Sequence, residues 1–179
     1  MNTESSAEKR RFYAVAIFVA AVAVAFIVLA LLLNTGRGSQ KGTLKAYYKA
    51  MYTQSGSFDD LCGCIVPSRR QEYYDTTSMA GTNFNFLAMW HTEAITQVGD
   101  NVKVGVRVLE TGADDSAYLT LIRETYSAAE RFSAVAFELR LDGDDGWETL
   151  TGVAPMIYQG GKWYMTPETV ELSVTGRSE

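Results

Sequence analysis

Few residues in this 179-residue chain combine the type and the spacing that covalent or metal chemistry requires. The most conspicuous triplet is Cys62-Gly63-Cys64. On a helix, side chains two residues apart point about 200° from each other, so a bridge would need local unwinding at Gly63. A metal site would need further ligands, and His91 is the one histidine in the chain. The cysteines are therefore expected as small buried residues or thiols, ahead of a disulfide and well ahead of a metal site.

The run Asp142-Gly143-Asp144-Asp145-Gly146 has the acids and glycines of a calcium loop. Such a loop requires a Glu at its twelfth position, and counting from Asp142 that position is Val153. A solvated hairpin turn is the expected form. His91, beside Trp90 and near Glu93, is of the type that serves as a general base. No nucleophile is marked by a motif, so a structural role is expected for it. The sequence contains no G-x-S-x-G elbow, phosphate loop or metalloprotease motif. What remains is a set of amphipathic aromatics, Tyr48, Tyr52, Trp90, Tyr118, Trp163 and Tyr164. Rings with a polar tip either line a ligand pocket or pack as ordinary core. No cofactor, metal or catalytic residue is expected.

The elements that position these residues fall into two halves. From Thr43, read as a helix cap, Leu44, Tyr47, Tyr48, Met51 and Tyr52 recur at the spacing of one helical face. Ser57 and Asp60 resemble a capping box for a second helix with Phe58, Leu61, Cys62, Ile65 and Val66 on its apolar side. Pro67 ends it and opens a further helical stretch through Tyr74. A short helix is expected around residues 84–90. Residues 94–98 and 102–108 then read as an alternating strand pair about Gly99-Asp100-Asn101, with Lys103 and Arg107 outward. Asp115 or Ser116 caps a short helix with Tyr118, Leu121, Ile122 and Tyr126 on its apolar side. Residues 134–141, 147–158 and 162–166 read as a strand meander about the turns at 142–146 and Gly160-Gly161. Helices first and an antiparallel sheet afterwards is the α+β pattern, with the helices on one face of the sheet.

Composition narrows the function classes. Sixteen Lys+Arg stand against 21 Asp+Glu, a formal charge of −5, which argues against a nucleic-acid partner because such affinity needs a concentrated basic face. Residues 12–33, FYAVAIFVAAVAVAFIVLALLL, hold 22 positions without a charge, Gly or Pro. As a helix they extend about 33 Å, enough for a hydrocarbon core of about 30 Å. The apolar run is longer than that of a cleaved signal peptide and lacks its small-x-small site, so an uncleaved anchor in the lipid bilayer is expected. Lys9, Arg10 and Arg11 with the interfacial Phe12 and Tyr13 abut the span. Arg37, Lys41 and Lys45 tie the basic count on the other side but are spread along a loop. This placement favours a cytoplasmic N-terminus and an extracytoplasmic C-terminal domain. The expected plan is a cytoplasmic tail over 1–11, a transmembrane helix over 12–33, a Gly-rich flexible tether over 34–42 and one domain over 43–179.

The order of elements resembles the NTF2-like (cystatin-like) superfamily. The residues that carry the likeness are Ala46-Tyr47-Tyr48-Lys49-Ala50-Met51, Phe58-Asp59-Asp60-Leu61 and the closing Gly160-Gly161-Lys162-Trp163-Tyr164-Met165. The chain is most similar to single-span bacterial envelope proteins carrying one such domain. The resemblance implies a cone of helices on a curved antiparallel sheet and a non-enzymatic module that binds an envelope protein or a small ligand. Two other branches imply rivals. One is an enzyme using the cone, with Tyr48, Tyr52, Asp59, Asp60 and His91 as the residues to test. The other is a structural, self-associating subunit of a secretion assembly like the type IV NTF2-like component.

Overall fold

A computed structural model describes residues 38–78, 85–112, 116–168 and 170–178, and of residues 116–118 only the backbone. The expected span at 12–33, its flank Lys9, Arg10, Arg11, Phe12 and Tyr13, and the side chain of Tyr118 lie outside the described residues. Among the described residues no helix is long and apolar enough to cross a membrane.

Helix α1 runs Gln40–Tyr52. Its N-cap is Ser39, not Thr43: the extended Ser39 backbone lets its hydroxyl accept from the Gly42 amide at 3.0 Å. The helix thus takes in three residues expected in the tether. Thr43 is buried instead, and its hydroxyl donates to the Trp163 carbonyl at 3.0 Å, fastening α1 to the sheet. The buried face is the expected one, with Leu44, Tyr47, Tyr48 and Met51. Helix α2, Phe58–Gly63, starts at Ser57, whose hydroxyl accepts from the Asp60 amide and donates to its carboxylate at 2.7 Å. A 3-10 turn at Pro67–Arg69 leads into α3, Arg70–Ser78.

Helix α4 spans Phe86–Val98, so the strand expected at 94–98 is the end of a helix. Asn85 caps it, accepting from the Ala88 amide at 3.2 Å. Its buried positions Leu87, Ala94 and Val98 follow helical spacing. Ala94 and Val98 are four apart, which satisfies both a helical turn and a two-residue alternation. Gly99, at φ 85°, donates its amide to Ile95 and ends the helix in a conformation that favours glycine. The turn at 142–146 does not stand in solvent alone. The Asp145 and Gly146 amides both donate to the Val98 carbonyl, at 3.0 and 3.1 Å, satisfying an acceptor that the helix end leaves open.

The sheet is antiparallel and ordered β1-β2-β3, from β1 Lys103–Thr111, β2 Arg131–Asp142 and β3 Trp147–Gln159. The far edge of β3 is shared. Met156–Gln159 pair with β4, Lys162–Met165, while Glu148–Thr151 pair with β5, Ser173–Arg177. Sequence patterning missed β5. Gly160 and Gly161, at φ 57° and 79°, form the two-residue turn that matches strand twist. Register shifts at Val108/Glu110 and Thr149/Leu150 add to the curvature. Helix α5, Ser116–Thr125, links β1 to β2. Leu119 and Ile122 pack on the core and Tyr126 is buried, whereas Leu121, expected on the apolar side, is 58% exposed because it lies off their i, i+3, i+7 row. Helices α1 and α4 lie against the sheet over a core of Val135, Phe137, Leu139 and Met156, which confirms the α+β class.

Candidate functional site

Helix α1 presents Tyr47, Tyr48, Met51 and Tyr52 to a cleft of about 450 Å³. Helix α3 supplies Glu72, Tyr73, Thr76 and Thr77, the turn before it Arg69, and α4 Trp90. The last wall is the segment between β4 and β5, with Pro167, Glu168, Val170 and Leu172. This volume falls in the range of about 300–1,000 Å³ typical of small-molecule sites, and the lining mixes apolar bodies with a few polar tips.

The tyrosines form a packed network. Tyr47 and Tyr48 meet edge to face at 5.1 Å, and Tyr48 and Tyr52 stack nearly parallel at 6.1 Å. Tyr48 also packs on Phe137 of β2 at 5.3 Å. The hydroxyls of Tyr47 and Tyr73 share a hydrogen bond of 2.7 Å. The Tyr48 hydroxyl is buried and makes no hydrogen bond among the described residues. Burial raises all four phenols above their ordinary value. Tyr52 is pushed up to about 12 by burial and then by the carboxylates of Glu93 and Glu148. Burial likewise pushes Tyr73 up to about 12, against a lowering hydrogen bond from Tyr47. Tyr47 and Tyr48 are raised by burial first and neighbouring tyrosines second. At neutral pH the cleft floor is uncharged.

The mouth is charged. Arg69 grips Glu72 with two nitrogens, Nη2 reaching Oε1 at 2.6 Å, and this hydrogen bond holds the Glu72 carboxyl below its usual range. Glu168 accepts from the Tyr126 hydroxyl at 3.2 Å.

The cleft brings together Tyr48, Tyr52 and Trp90 of the expected aromatic set. Trp163 and Tyr164 stand elsewhere. Trp163 is buried against Tyr158 at 5.3 Å with the Arg131 guanidinium 5.4 Å from its ring, and Tyr164 is buried with the Arg70 guanidinium 6.0 Å from its ring. Of the residues set out for an enzymatic reading, Asp59, Asp60 and His91 do not line the cleft. Asp59 and Asp60 are exposed on α2, and Asp60 borders a separate depression beside Lys49. His91 Nε2 stands 3.4 Å from the Ala50 carbonyl, a tie between α4 and α1. No disulfide joins Cys62 and Cys64; both are buried, and the Cys64 thiol donates to the Asp60 carbonyl at 3.3 Å. Among the described residues no group of His, Cys, Asp or Glu is placed to hold a metal.

The chain matches no protein-family model, no curated protein and no solved structure. The site therefore stands on its geometry. Sequence reasoning missed Tyr73, Thr77, Glu168, Val170 and Leu172. The i, i+4 pair Tyr73 and Thr77 was the available signal for α3, whereas the segment at 166–172 has no periodicity to read.

Proposed function

We propose that the protein is a membrane-anchored, extracytoplasmic binding module of NTF2-like type, held in the bilayer by residues 12–33 with its N-terminus in the cytoplasm. The tyrosine-lined cleft is its ligand site, and an envelope molecule or a segment of an envelope protein is its occupant. The observation that carries this reading is the cleft of about 450 Å³ between α1, α3 and the segment at 166–172, walled by four tyrosines and Trp90. An uncharged aromatic floor suits binding through burial of apolar surface. A non-enzymatic role is favoured because Asp59, Asp60 and His91 lie away from that floor, and Glu72 is held ionised by Arg69 rather than poised to exchange a proton near neutral pH. Anchoring raises the effective concentration of the domain near membrane-bound partners.

The test is recovery of a ligand. The full chain, purified from its own envelope in lipid nanodiscs, is extracted with organic solvent beside a Thr76→Trp variant, in which an exposed lining residue is enlarged to fill the cleft. A molecule enriched with the native chain and lost from the variant supports the reading. Identical extracts from both argue for a cleft that serves packing alone.

A further inference from the structure

Three residues of α1 are exposed, and all three are lysines: Lys41, Lys45 and Lys49. Spaced four apart on a helix they form one stripe, turned away from the face that carries Leu44, Tyr47 and Met51 into the core. Lys41 and Lys45 thus belong to a helix and not to a loop.

The stripe is unmatched within the fold. Every described arginine is engaged: Arg69, Arg107, Arg140 and Arg177 by carboxylates, Arg70 and Arg123 by carbonyls, and Arg131 over the Tyr158 and Trp163 rings. The three lysines make no ion pair among the described residues. Asp60, which shares a depression with Lys49, bonds Ser57 instead. Like charges four apart repel, and Lys41, in a first turn without an acid, opposes the positive end of the helix dipole.

Chain length brings a surface to this stripe. Gly38 lies in a depression with Thr111, Gly112 and Arg131, and only residues 34–37 separate it from the apolar run that ends at Leu33. Fully extended, that connection keeps Gly38 within about 18 Å of Leu33. The headgroup layer takes up roughly 5–8 Å of this reach. Lys41 and Lys45 follow Gly38 by about 5 and 10 Å along the helix axis.

We propose that the lysine stripe docks on anionic phospholipid headgroups and lays α1 along the bilayer surface. This rests on the reading of residues 12–33 as an anchor, and it holds on either side of the membrane. Attraction of three lysines to an anionic leaflet favours the docked arrangement roughly a hundredfold. The same helix presents Tyr47, Tyr48, Met51 and Tyr52 to the cleft, so docking holds one wall of the cleft about a helix diameter, 10 Å, from the headgroups.

Lysine reactivity tests it. The full chain is set in nanodiscs of phosphatidylcholine, alone or with phosphatidylglycerol, and acetylation of each lysine by an amine-reactive ester is timed by mass spectrometry. Lys103, at the opposite end of β1 from Thr111, is the internal control. With phosphatidylglycerol present, Lys41, Lys45 and Lys49 are expected to react about tenfold more slowly and Lys103 at an unchanged rate. The difference is lost in about 1 M sodium chloride, where the Debye length falls to about 3 Å. Lys41→Gln combined with Lys49→Gln removes the protection of Lys45. Equal rates in the two discs, equal slowing of Lys103, protection that persists in salt, or protection of Lys45 that survives the double substitution overturns the proposal while leaving the anchor. A chain that enters neither disc overturns both.

Discussion

The hydroxyls of Tyr47 on α1 and Tyr73 on α3 lie 2.7 Å apart, the hydrogen bond that ties two walls of the cleft. Each phenol is the other's partner in a buried setting. Removing one hydroxyl strands its neighbour, so Tyr47→Phe or Tyr73→Phe alone is expected to lower stability by about 1–3 kcal/mol, and the double variant by much less. Urea unfolding of the four chains measures the coupling. Additive losses would show that the bond contributes nothing of its own.

Tyr48→Phe should behave in the opposite way. It removes a buried hydroxyl that has no partner among the described residues and keeps the ring against Tyr52 and Phe137. Stability is expected to rise by about 1 kcal/mol in the ligand-free chain. A loss of that size would mean that the hydroxyl is bonded in solution.

Alkaline pH should unfold the domain early. Tyr52 and Tyr73 are raised to about 12 in the fold, against about 10 in an unfolded chain. Because the unfolded state ionises first, their contribution is complete below pH 10 and is lost as pH rises towards 12. Each such phenol adds a fall of about 1.4 kcal/mol per pH unit within that window. Unfolding free energies measured between pH 9 and 11 should fall steeply above 10, and less steeply in Tyr52→Phe.

Three glycines should separate clash from backbone strain. A Cβ on Gly143 would sit 2.3 Å from the Val98 carbonyl oxygen, so Gly143→Ala must push the turn off the end of α4. A Cβ on Gly99 would meet the Asp145 amide and carboxylate at 2.7 Å, and Gly99 also needs its positive φ. At Gly160 φ is positive but nothing lies within 4 Å. Gly160→Ala is expected to cost about 1 kcal/mol, and the other two substitutions more. Thermal denaturation ranks them.

Cys62 and Cys64 are buried, and burial pushes the Cys62 thiol above its ordinary value. A membrane-impermeant maleimide applied to intact cells is expected to leave both unlabelled until a denaturant that spares the bilayer opens the domain. Labelling at that step supports the extracytoplasmic placement. Protection until the bilayer is permeabilised would put the domain in the cytoplasm.

How much of this was legible in the sequence depended on whether one pattern or two fitted a segment. On α1 the spacing of Leu44, Tyr47, Tyr48 and Met51 admits only a helix, so the face was read correctly and carried one wall of the cleft with it. The turn residues framing β2, β3 and β4 placed the meander within a few residues. Ala94 and Val98 fitted two periods at once, and only the cap at Asn85 and the stop at Gly99 decide between them. Strand β5, Ser-Val-Thr-Gly-Arg, has little apolar alternation, and it holds through partners distant in sequence. Arg177 bonds Glu148, which is 5% exposed, at 2.8 Å, and Gly176 lies under the Trp147 ring. Trp163 and Tyr164 looked like cleft residues by type, but nothing in their spacing reveals that β4 buries them against Arg131 and Arg70.

Both short strands ride the same rail, and between them the chain lets go of β3 and returns to it further along. Between the two pairings, Pro167, Glu168, Val170 and Leu172 wall the cleft. This stretch passes close over β3 at Gly152, where a Cβ would come within 2.9 Å of the Glu171 carbonyl oxygen. The wall is thus strung like a cord between two pegs, Met165 at one end and Ser173 at the other. Trimming the last strand would slacken the cord and leave the tyrosines facing an open trough, although none of the trimmed residues lines the cleft.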